Sequence, residues 1–288
     1  MNIRHPARPR HLALALLVIA LVTRPAVPAQ QTSPLTLDDI LQRLEDNLLH
    51  YDSTVPSLYC AEHVVSSMVG NFRSQNAITD STFRLKRVLN PDQTTNLNES
   101  REIKAIDGHP AEAEALVGPA IVSGAFSGGL ATVSISQKPC MRYRLRPAKS
   151  NRPGTPYIVE FESLFNQTHP ADCLLQEDGH GRVFIDPTTM QIKRMELTAP
   201  RHTMYPGGKS DNGSIIQPVV GEWILAVDYS PVLLGGKTFW LPTTITSRAT
   251  SGNGGPGATI WSFDAKYTNY HKLEVTSRIL VPGDPAVP

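Results

Sequence analysis

The residue types most able to do chemistry in this chain, its histidines and cysteines, are scattered along the sequence. Nine histidines occur among 288 residues. The tightest group is His169, Asp172 and Cys173, and zinc sites usually take clustered His and Cys ligands at defined spacings that this group does not follow. We therefore predict no metal site, no cofactor and no catalytic residue.

Several glycine-containing stretches resemble known motifs without meeting their requirements. Residues 252–257 satisfy GxGxxG, but they lie between two predicted strands, whereas the dinucleotide motif opens a helix. Residues 208–210 and 236–238 lack the upstream glycine of a P-loop. In residues 124–128 the serine comes one position late for a GxSxG elbow. A triad is defined by geometry and not by spacing, so a secreted hydrolase stays open as an alternative.

The chain has three cysteines, Cys60, Cys140 and Cys173. In an oxidising compartment this number predicts one disulfide and one remaining thiol. Cys140 and Cys173 are the favoured pair because they flank a single predicted hairpin. Pairings that involve Cys60 remain open on spacing alone.

Residues 1–29 are predicted to be an export signal. Three arginines precede an uninterrupted apolar run at residues 12–22, and Val27-Pro28-Ala29 supplies a small-residue cleavage pattern. The run is too short for the ~20 apolar residues of a membrane-spanning helix, and no later stretch is long enough. We therefore expect no membrane span and a location in the periplasm or outside the cell.

The charge of the exported part argues against a nucleic-acid partner. Four of the 27 basic residues and none of the 26 acidic residues lie in residues 1–29, so 23 basic and 26 acidic residues remain, with a net charge of −3. Nucleic-acid binders normally have a strong basic excess. We predict one domain over residues 30–280 and a loose Pro-rich tail at 281–288.

The first element of that domain is predicted to be an amphipathic helix. Apolar residues recur at steps of three and four between Leu37 and Tyr51. Thr36 suits the N-cap, and Asp39 three residues later completes a variant of the capping box. The polar face is acidic, whereas a membrane-surface helix needs a basic one, so we expect the helix to pack on a sheet.

β-strand character follows this helix. Residues 59–68, 82–89 and 101–106 are predicted strands. Residues 110–125, rich in Ala and Leu, are predicted to contain a second helix that ends near Gly128. Strands and helices do not alternate along the chain, which argues against a doubly wound nucleotide-binding fold.

Two hairpins are predicted in the middle of the chain. Residues 182–185 and 191–197 turn at 186–189, where a proline presets φ and an aspartate bonds back to the turn. Residues 141–145 and 157–161 form the second hairpin. If the apolar faces of its two strands align, a row of arginines must face a pair of glutamates. We favour an ion-paired, solvated face over an anion site.

The C-terminal third contains two segments in which apolar and polar residues alternate, as in antiparallel strands with one buried face. We predict that the apolar side of these segments either binds a ligand or forms core, two roles that the pattern does not separate. The candidate ligand-binding residues are Trp223, Leu225, Tyr229, Trp261, Phe263 and Tyr267.

Five of these stretches together resemble uncharacterised exported bacterial proteins of the lipoprotein-carrier (LolA/LolB-like) superfamily. The resemblance is best over residues 180–275. The matching motifs are Leu58-Tyr59-Cys60, residues 181–197 (GRVFIDPTTMQIKRMEL), Val227-Asp228-Tyr229, Trp240-Leu241-Pro242 and the aromatic strand end at residues 267–270.

This resemblance implies an α+β fold and a class of ligand. The fold is a large curved antiparallel β-sheet, an unclosed half-barrel, with the N-terminal amphipathic helix and the second helix packed on its concave face. Carriers of that shape take up acyl chains between sheet and helices. We therefore predict an exported, non-enzymatic binding protein for a lipid or other apolar ligand. The alternative is a structural or interaction module with a protein partner in the cell envelope.

Overall fold

A computed structural model describes twelve parts of the chain. The predicted signal segment and the Pro-rich tail lie outside them, so both stay predictions, as do the limits of the single domain. The described residues are 35–69, 74–91, 95–112, 118, 122–147, 154–164, 173–175, 178–202, 208–209, 215–216, 219–252 and 258–273.

Helix α1 spans Leu37–Thr54. The Thr36 side chain accepts the backbone N–H of Asp39, and the Asp39 carboxylate accepts the backbone N–H of Thr36 at 3.0 Å. One face of the helix is buried, at Ile40, Leu41, Leu44 and Tyr51. The predicted amphipathic helix and its capping box are therefore confirmed.

Thirteen strands are found in the described residues. They are β1 Leu58–Val69, β2 Ser74–Leu89, β3 Thr95–Ile106, β4 His109–Pro110, β5 Met141–Arg146, β6 Tyr157–Ser163, β7 His180–Ile185, β8 Ile192–His202, β9 Gly208–Lys209, β10 Ile215–Ile216, β11 Val219–Leu234, β12 Lys237–Thr250 and β13 Thr259–Lys272.

Eleven of these strands form one antiparallel sheet in the order β4-β3-β2-β1-β13-β12-β11-β8-β7-β6-β5, and β9 pairs with β10 separately. Strands β4 and β5 are the two edges and do not pair with each other, so the sheet is unclosed, as predicted. Because β4 and β5 follow each other along the chain, residues 111–140 connect one edge of the sheet to the opposite edge. We call residues 111–140 the crossing segment.

The sheet has one buried face, which we call the inner face, and one exposed outer face. In β1 the residues at even positions from Leu58 to Ser66 are buried, and those between them are mostly exposed. Buried residues of α1 and of the crossing segment join those of the inner face in one core cluster. The helix and the crossing segment therefore cover the inner face.

The described residues do not show the predicted second helix. Part of its predicted range, residues 113–117 and 119–121, lies outside the described residues. The described remainder has a four-residue α-helix, α2 Ala125–Gly128, followed by the 3-10 segments Gly129–Val133 and Ile135–Gln137. Glycines at 124, 128 and 129 disfavour a longer helix because glycine loses the most backbone entropy on ordering.

The predicted Asp-Pro hairpin joins β7 to β8. The Asp186 carboxylate accepts the backbone N–H groups of Thr188 and Thr189, both at 2.9 Å. The backbone hydrogen bonds from Thr189 and Thr188 lower the pKa of Asp186 below its ordinary value. The turn is thus built as the sequence predicts.

Candidate functional site on the inner face

All six predicted ligand-binding residues lie on the inner face. Leu225, Tyr229, Phe263 and Tyr267 are buried, while Trp223 and Trp261 are partly exposed and pack against the core. The structure therefore brings the two alternating segments together on β11 and β13, with β12 between them.

Strand β12 presents small side chains between these two strands. Two rows of paired residues cross the three strands from β11 through β12 to β13: Trp223–Ala249–Trp261 and Leu225–Ser247–Phe263. The central residues, Ala249 and Ser247, are 0% and 1% exposed. We call this surface the trough: Ala249 and Ser247 form its floor, and the larger residues on either side form its walls.

An aromatic ring of the crossing segment packs on the inner face beside the predicted residues. Phe126, in α2, is 1% exposed. Its ring centroid lies 4.7 Å from that of Phe83, 5.3 Å from Tyr267 and 6.4 Å from Tyr270. The tilted and edge-on geometries are those that aromatic pairs prefer. Phe126 therefore fills the space above Tyr267.

Two glycines let the crossing segment approach the sheet closely. A Cβ on Gly129 would lie 2.2 Å from the Tyr229 hydroxyl, and one on Gly118 would lie 2.3 Å from Ser66 Oγ. Gly118 also has φ +30°, in the region that favours glycine. Gly118 therefore lies close to β1 and Gly129 close to β11, where a larger residue would have to displace the facing Ser66 or Tyr229 side chain.

The crossing segment is held by side-chain hydrogen bonds. Near the start of its continuously described stretch, residues 122–140, two bonds go to β3, and near the end one goes to α1. These bonds are Arg101 Nη2 to the Val122 carbonyl (3.1 Å), Gly124 N–H to Glu99 Oε2 (2.9 Å) and Ile135 N–H to Glu45 Oε2 (2.8 Å).

A buried ion pair lies beneath the start of the crossing segment. Glu62 and Arg101 have side chains 0% and 6% exposed, with Arg101 Nε 2.9 Å from Glu62 Oε2. Ser81 and the Tyr267 hydroxyl also donate to the Glu62 carboxylate, at 2.6 and 2.9 Å. Burial, with a further effect of the Glu62 charge, raises the pKa of Tyr267 well above its ordinary value. The buried carboxylate is therefore fully engaged.

Four buried hydroxyls have no hydrogen-bond partner in the described structure. They belong to Tyr51, Ser66, Thr79 and Tyr229. Burial raises the pKa of both Tyr51 and Tyr229. An unsatisfied buried polar group costs about 1–3 kcal/mol, so the fit between cover and inner face is imperfect at these points.

Little free space remains where α1 meets the sheet. A cavity of about 20 Å³ is lined in part by Leu44, Tyr51 and Ile192, which is room for about one water. The trough floor and Phe126 are buried as well. At these described positions the inner face is therefore buried, whereas Trp223 and Trp261 remain partly exposed.

The disulfide is the predicted one. Cys140 and Cys173 are joined, with Cα atoms 5.6 Å apart. Cys60 is a buried free thiol on the inner face. Burial raises the pKa of Cys60 to about 12, so it is poorly suited to act as a nucleophile.

The outer face carries the predicted ion-paired rows. Arg142 pairs with Glu162 at 2.6 Å, and Arg144 pairs with Glu160. These residues line part of an open groove of about 630 Å³ that also includes Arg182. The predicted Arg-to-Glu register is confirmed.

The described ranges contain neither a candidate metal site nor a helix that could span a membrane. No group of three or more His, Cys, Asp or Glu residues there is placed to hold a metal ion. Among the same residues, no helix is both long and apolar enough to cross a membrane. His169 and Asp172 lie outside the described residues, and Cys173 is in the disulfide.

Three parts of the site were not predicted from the sequence: Phe126, the Glu62–Arg101 pair and the small residues of the trough floor. Phe126 lies between glycines without periodicity. Glu62 could have been recognised from the sequence, because it lies in β1 between Cys60 and Val64, on the side of the strand that is buried. An acidic residue on the buried side of a strand predicts a buried partner of opposite charge.

Comparisons with known proteins find only distant matches among solved structures. No protein-family model matches the sequence, and no curated protein matches it. Solved structures with similarity include a LolA superfamily protein of Nitrosomonas europaea, at 8% identity, covering 84% of this chain and 96% of that one, with a TM-score of 0.33.

Two further structures have the same TM-score of 0.33. One is a Vibrio parahaemolyticus domain named for outer membrane lipoprotein sorting, at 9% identity and covering 80% of this chain and 90% of that one. The other is a DUF1329 family protein of Desulfovibrio piger, at 12% identity and covering 82% and 95%. At these identities and TM-scores, the three matches support no conclusion about the family, the ligand or the role of this chain.

Proposed function

We propose that the chain is an exported, non-enzymatic binding protein that holds an apolar ligand on the inner face, between the sheet and the crossing segment. The observation that carries this proposal is the trough. Its walls are residues predicted from the sequence to bind a ligand, and its floor consists of Ala249 and Ser247, which leave room for a ligand only if their present cover is replaced.

The apolar surface beside the trough has the length of a lipid chain. The inner-face residues of β13 run from Trp261 to Tyr267, seven residues of strand that span roughly 20 Å. Half of the hydrocarbon core of a bilayer is ~15 Å thick. An acyl chain laid along β13 would contact aromatic side chains over most of its length.

The cover over this surface is suited to being displaced. Its described part contains one four-residue α-helix and two 3-10 segments, and side chains of the sheet and of α1 bind its backbone at Val122, Gly124 and Ile135. Phe126 occupies the aromatic pocket that a ligand would use. We propose that an apolar ligand replaces Phe126 against Tyr267 when the middle of the crossing segment moves.

Export is part of the proposal. The Cys140–Cys173 disulfide supports an oxidising compartment, because disulfides rarely persist in the cytosol. The signal pattern of residues 1–29 supports the same compartment.

The test is to purify the full chain from a bacterial periplasm, extract it with organic solvent and identify bound molecules by mass spectrometry. We expect an acyl-chain molecule in a defined ratio to protein. Repeatedly empty protein that also fails to bind an apolar fluorescent probe would contradict the proposal. That result would favour the envelope interaction module.

A matched pair of variants locates the binding. Trp223→Ala removes one wall of the trough, while Ile224→Ala changes the next residue, which is 37% exposed on the outer face. We expect the first variant to weaken probe binding by roughly tenfold, since a buried large side chain contributes about 1.5–3 kcal/mol. The second variant should bind as the wild type does.

A further inference from the structure

The open edge of β3 is the feature that carries a further inference. Strand β4 pairs with β3 only at Ala105 and Ile106. The backbone N–H of Ala111 also donates to the Lys104 carbonyl at 3.0 Å. Within the described part of the chain, no other strand lies against this side of residues 95–103. An edge strand of this length presents unpaired N–H and C=O groups that another strand can extend.

We propose that this edge binds the same edge of a second copy of the chain, as an antiparallel pair with its two-fold axis at Ser100. The proposal does not require a ligand on the inner face. A two-fold interface requires a surface that is complementary to itself, and β3 meets this requirement in one register.

In that register the inner-face residues match in both charge and polarity. Glu99 lies opposite Arg101 of the second copy, and Leu97 lies opposite Ile103 of the second copy. Both pairings occur twice because of the symmetry. Opposite charges and apolar pairs directly across two strands stabilise a sheet, and the Glu99 carboxylate would extend the buried Glu62–Arg101 pair.

The outer-face residues also fit. Ser100 faces Ser100 of the second copy, so the axis carries a small uncharged residue. Asn98 faces Glu102 of the second copy. Ser100, Asn98 and Glu102 are all exposed in the single chain, so no buried contact of the monomer has to be broken.

Neighbouring registers are disfavoured by like charges. Moving the axis to Glu99, Arg101 or Glu102 places that residue opposite its own copy. Every register that pairs inner-face residues with inner-face residues leaves the backbone N–H and C=O groups equally available for hydrogen bonding. The side chains therefore determine which register is favoured. Only the Ser100 axis avoids a like-charge pair and also matches Glu with Arg.

The opposite edge of the sheet shows what a protected edge looks like. Strand β5 carries Arg142, Arg144 and Arg146 on one face. Any same-face pairing of β5 with its own copy sets arginine against arginine, a known device against edge-to-edge association. β3 has no such row of like charges on one face.

The decisive experiment measures the mass of the full chain by sedimentation equilibrium from about 1 μM to about 1 mM, the range of weak and standard interfaces. We expect a concentration-dependent dimer. Ser100→Lys places like charges at the axis and should give a monomer. Asn98→Lys adds the same charge two residues away, opposite Glu102 of the second copy, and should keep or strengthen the dimer.

A cross-linking variant checks the register directly. Residues opposite each other in an antiparallel pair have Cα atoms about 4.5–5.5 Å apart, which a disulfide spans. Ser100→Cys should therefore give a covalent dimer under mild oxidation, and Asn98→Cys should not. A wild type that is monomeric throughout, lysine variants that behave alike, or Asn98→Cys cross-linking as readily as Ser100→Cys would overturn the proposal.

Discussion

The inner face of the sheet has two unlike regions. Under α1 the buried helix residues are apolar apart from one tyrosine hydroxyl, and the Asn47 amide ties the helix to the Met190 carbonyl at 2.7 Å. Under the start of the crossing segment, β1 to β3 carry the buried Glu62–Arg101 pair. The unpartnered hydroxyls of Ser66 and Thr79 lie in the same region.

The difference follows from what covers each region. A capped amphipathic helix satisfies its own backbone groups and needs only apolar contacts below it. The crossing segment has little regular structure, so its carbonyl and N–H groups need side-chain partners, which Arg101 and Glu99 supply. We infer that the α1 region provides stability, and that the second region positions the cover that the proposed ligand would displace.

The largest expected effect is the loss of the buried charge pair. Glu62→Gln leaves Arg101 buried without a counter-charge, which should lower the free energy of unfolding by about 3–5 kcal/mol. Arg144→Met is the control, because the Arg144 side chain is 77% exposed and such pairs contribute about 0–1 kcal/mol. Urea unfolding measures both variants, and equal losses would remove the contrast between buried and exposed pairs.

The second prediction separates the two regions by function. Phe126→Ala should cost about 3–5 kcal/mol of stability and increase the affinity for an apolar probe, because apolar voids bind apolar molecules. Leu41→Ala, in α1, should cost about 2–5 kcal/mol without that increase. If both variants gain probe affinity equally, the crossing segment has no special role in covering the site.

A smaller effect is expected at the start of α1. Thr36→Ala removes the capping side chain and should cost about 1 kcal/mol, with unchanged probe binding. Thr36→Ser keeps the hydroxyl and should retain most of the stability. Thermal unfolding with probe titration compares the three proteins; a loss of probe binding in Thr36→Ala would show that α1 takes part in holding the ligand.

The smallest effect concerns the turn that leads to Met190. The lowered pKa of Asp186 means that its carboxylate stabilises the fold above the unfolded value of about 3.9. That contribution is lost as the pH falls through the lower folded-state pKa. The stability difference between wild type and Asp186→Asn should therefore be constant near neutral pH and shrink below about pH 4. A difference that grows on acidification would contradict this.

Local signals in the sequence were enough for the elements with regular periodicity. The three- and four-residue spacing and Thr36 predict α1, and strict alternation places Trp223 and Trp261 on one face. The alternating arginines and glutamates of β5 and β6 fix their register because opposite charges must meet. Each of these predictions uses residues that are close in sequence or adjacent in one hairpin.

The remaining features depend on long-range pairing. β2 and β3 are longer than predicted because polar residues such as Asn76 and Asn98 are held in strands by their neighbours. Arg101 meets Glu62 only through the β1–β2–β3 register. Phe126 reaches Tyr267 because its segment joins opposite edges of the sheet, which local patterns do not predict.

The most direct test of the central claim is tryptophan quenching by a fatty acid brominated along its chain. If the ligand lies in the trough, Trp223 and Trp261 should be quenched on binding. The double variant Trp223→Phe, Trp261→Phe keeps aromatic walls and only Trp240 as a fluorophore. We predict saturable quenching of tryptophan fluorescence in the wild type and no saturable quenching in the double variant. Binding of radiolabelled fatty acid should be retained in both proteins. No saturable binding, or equal quenching in both proteins, would contradict the proposed site.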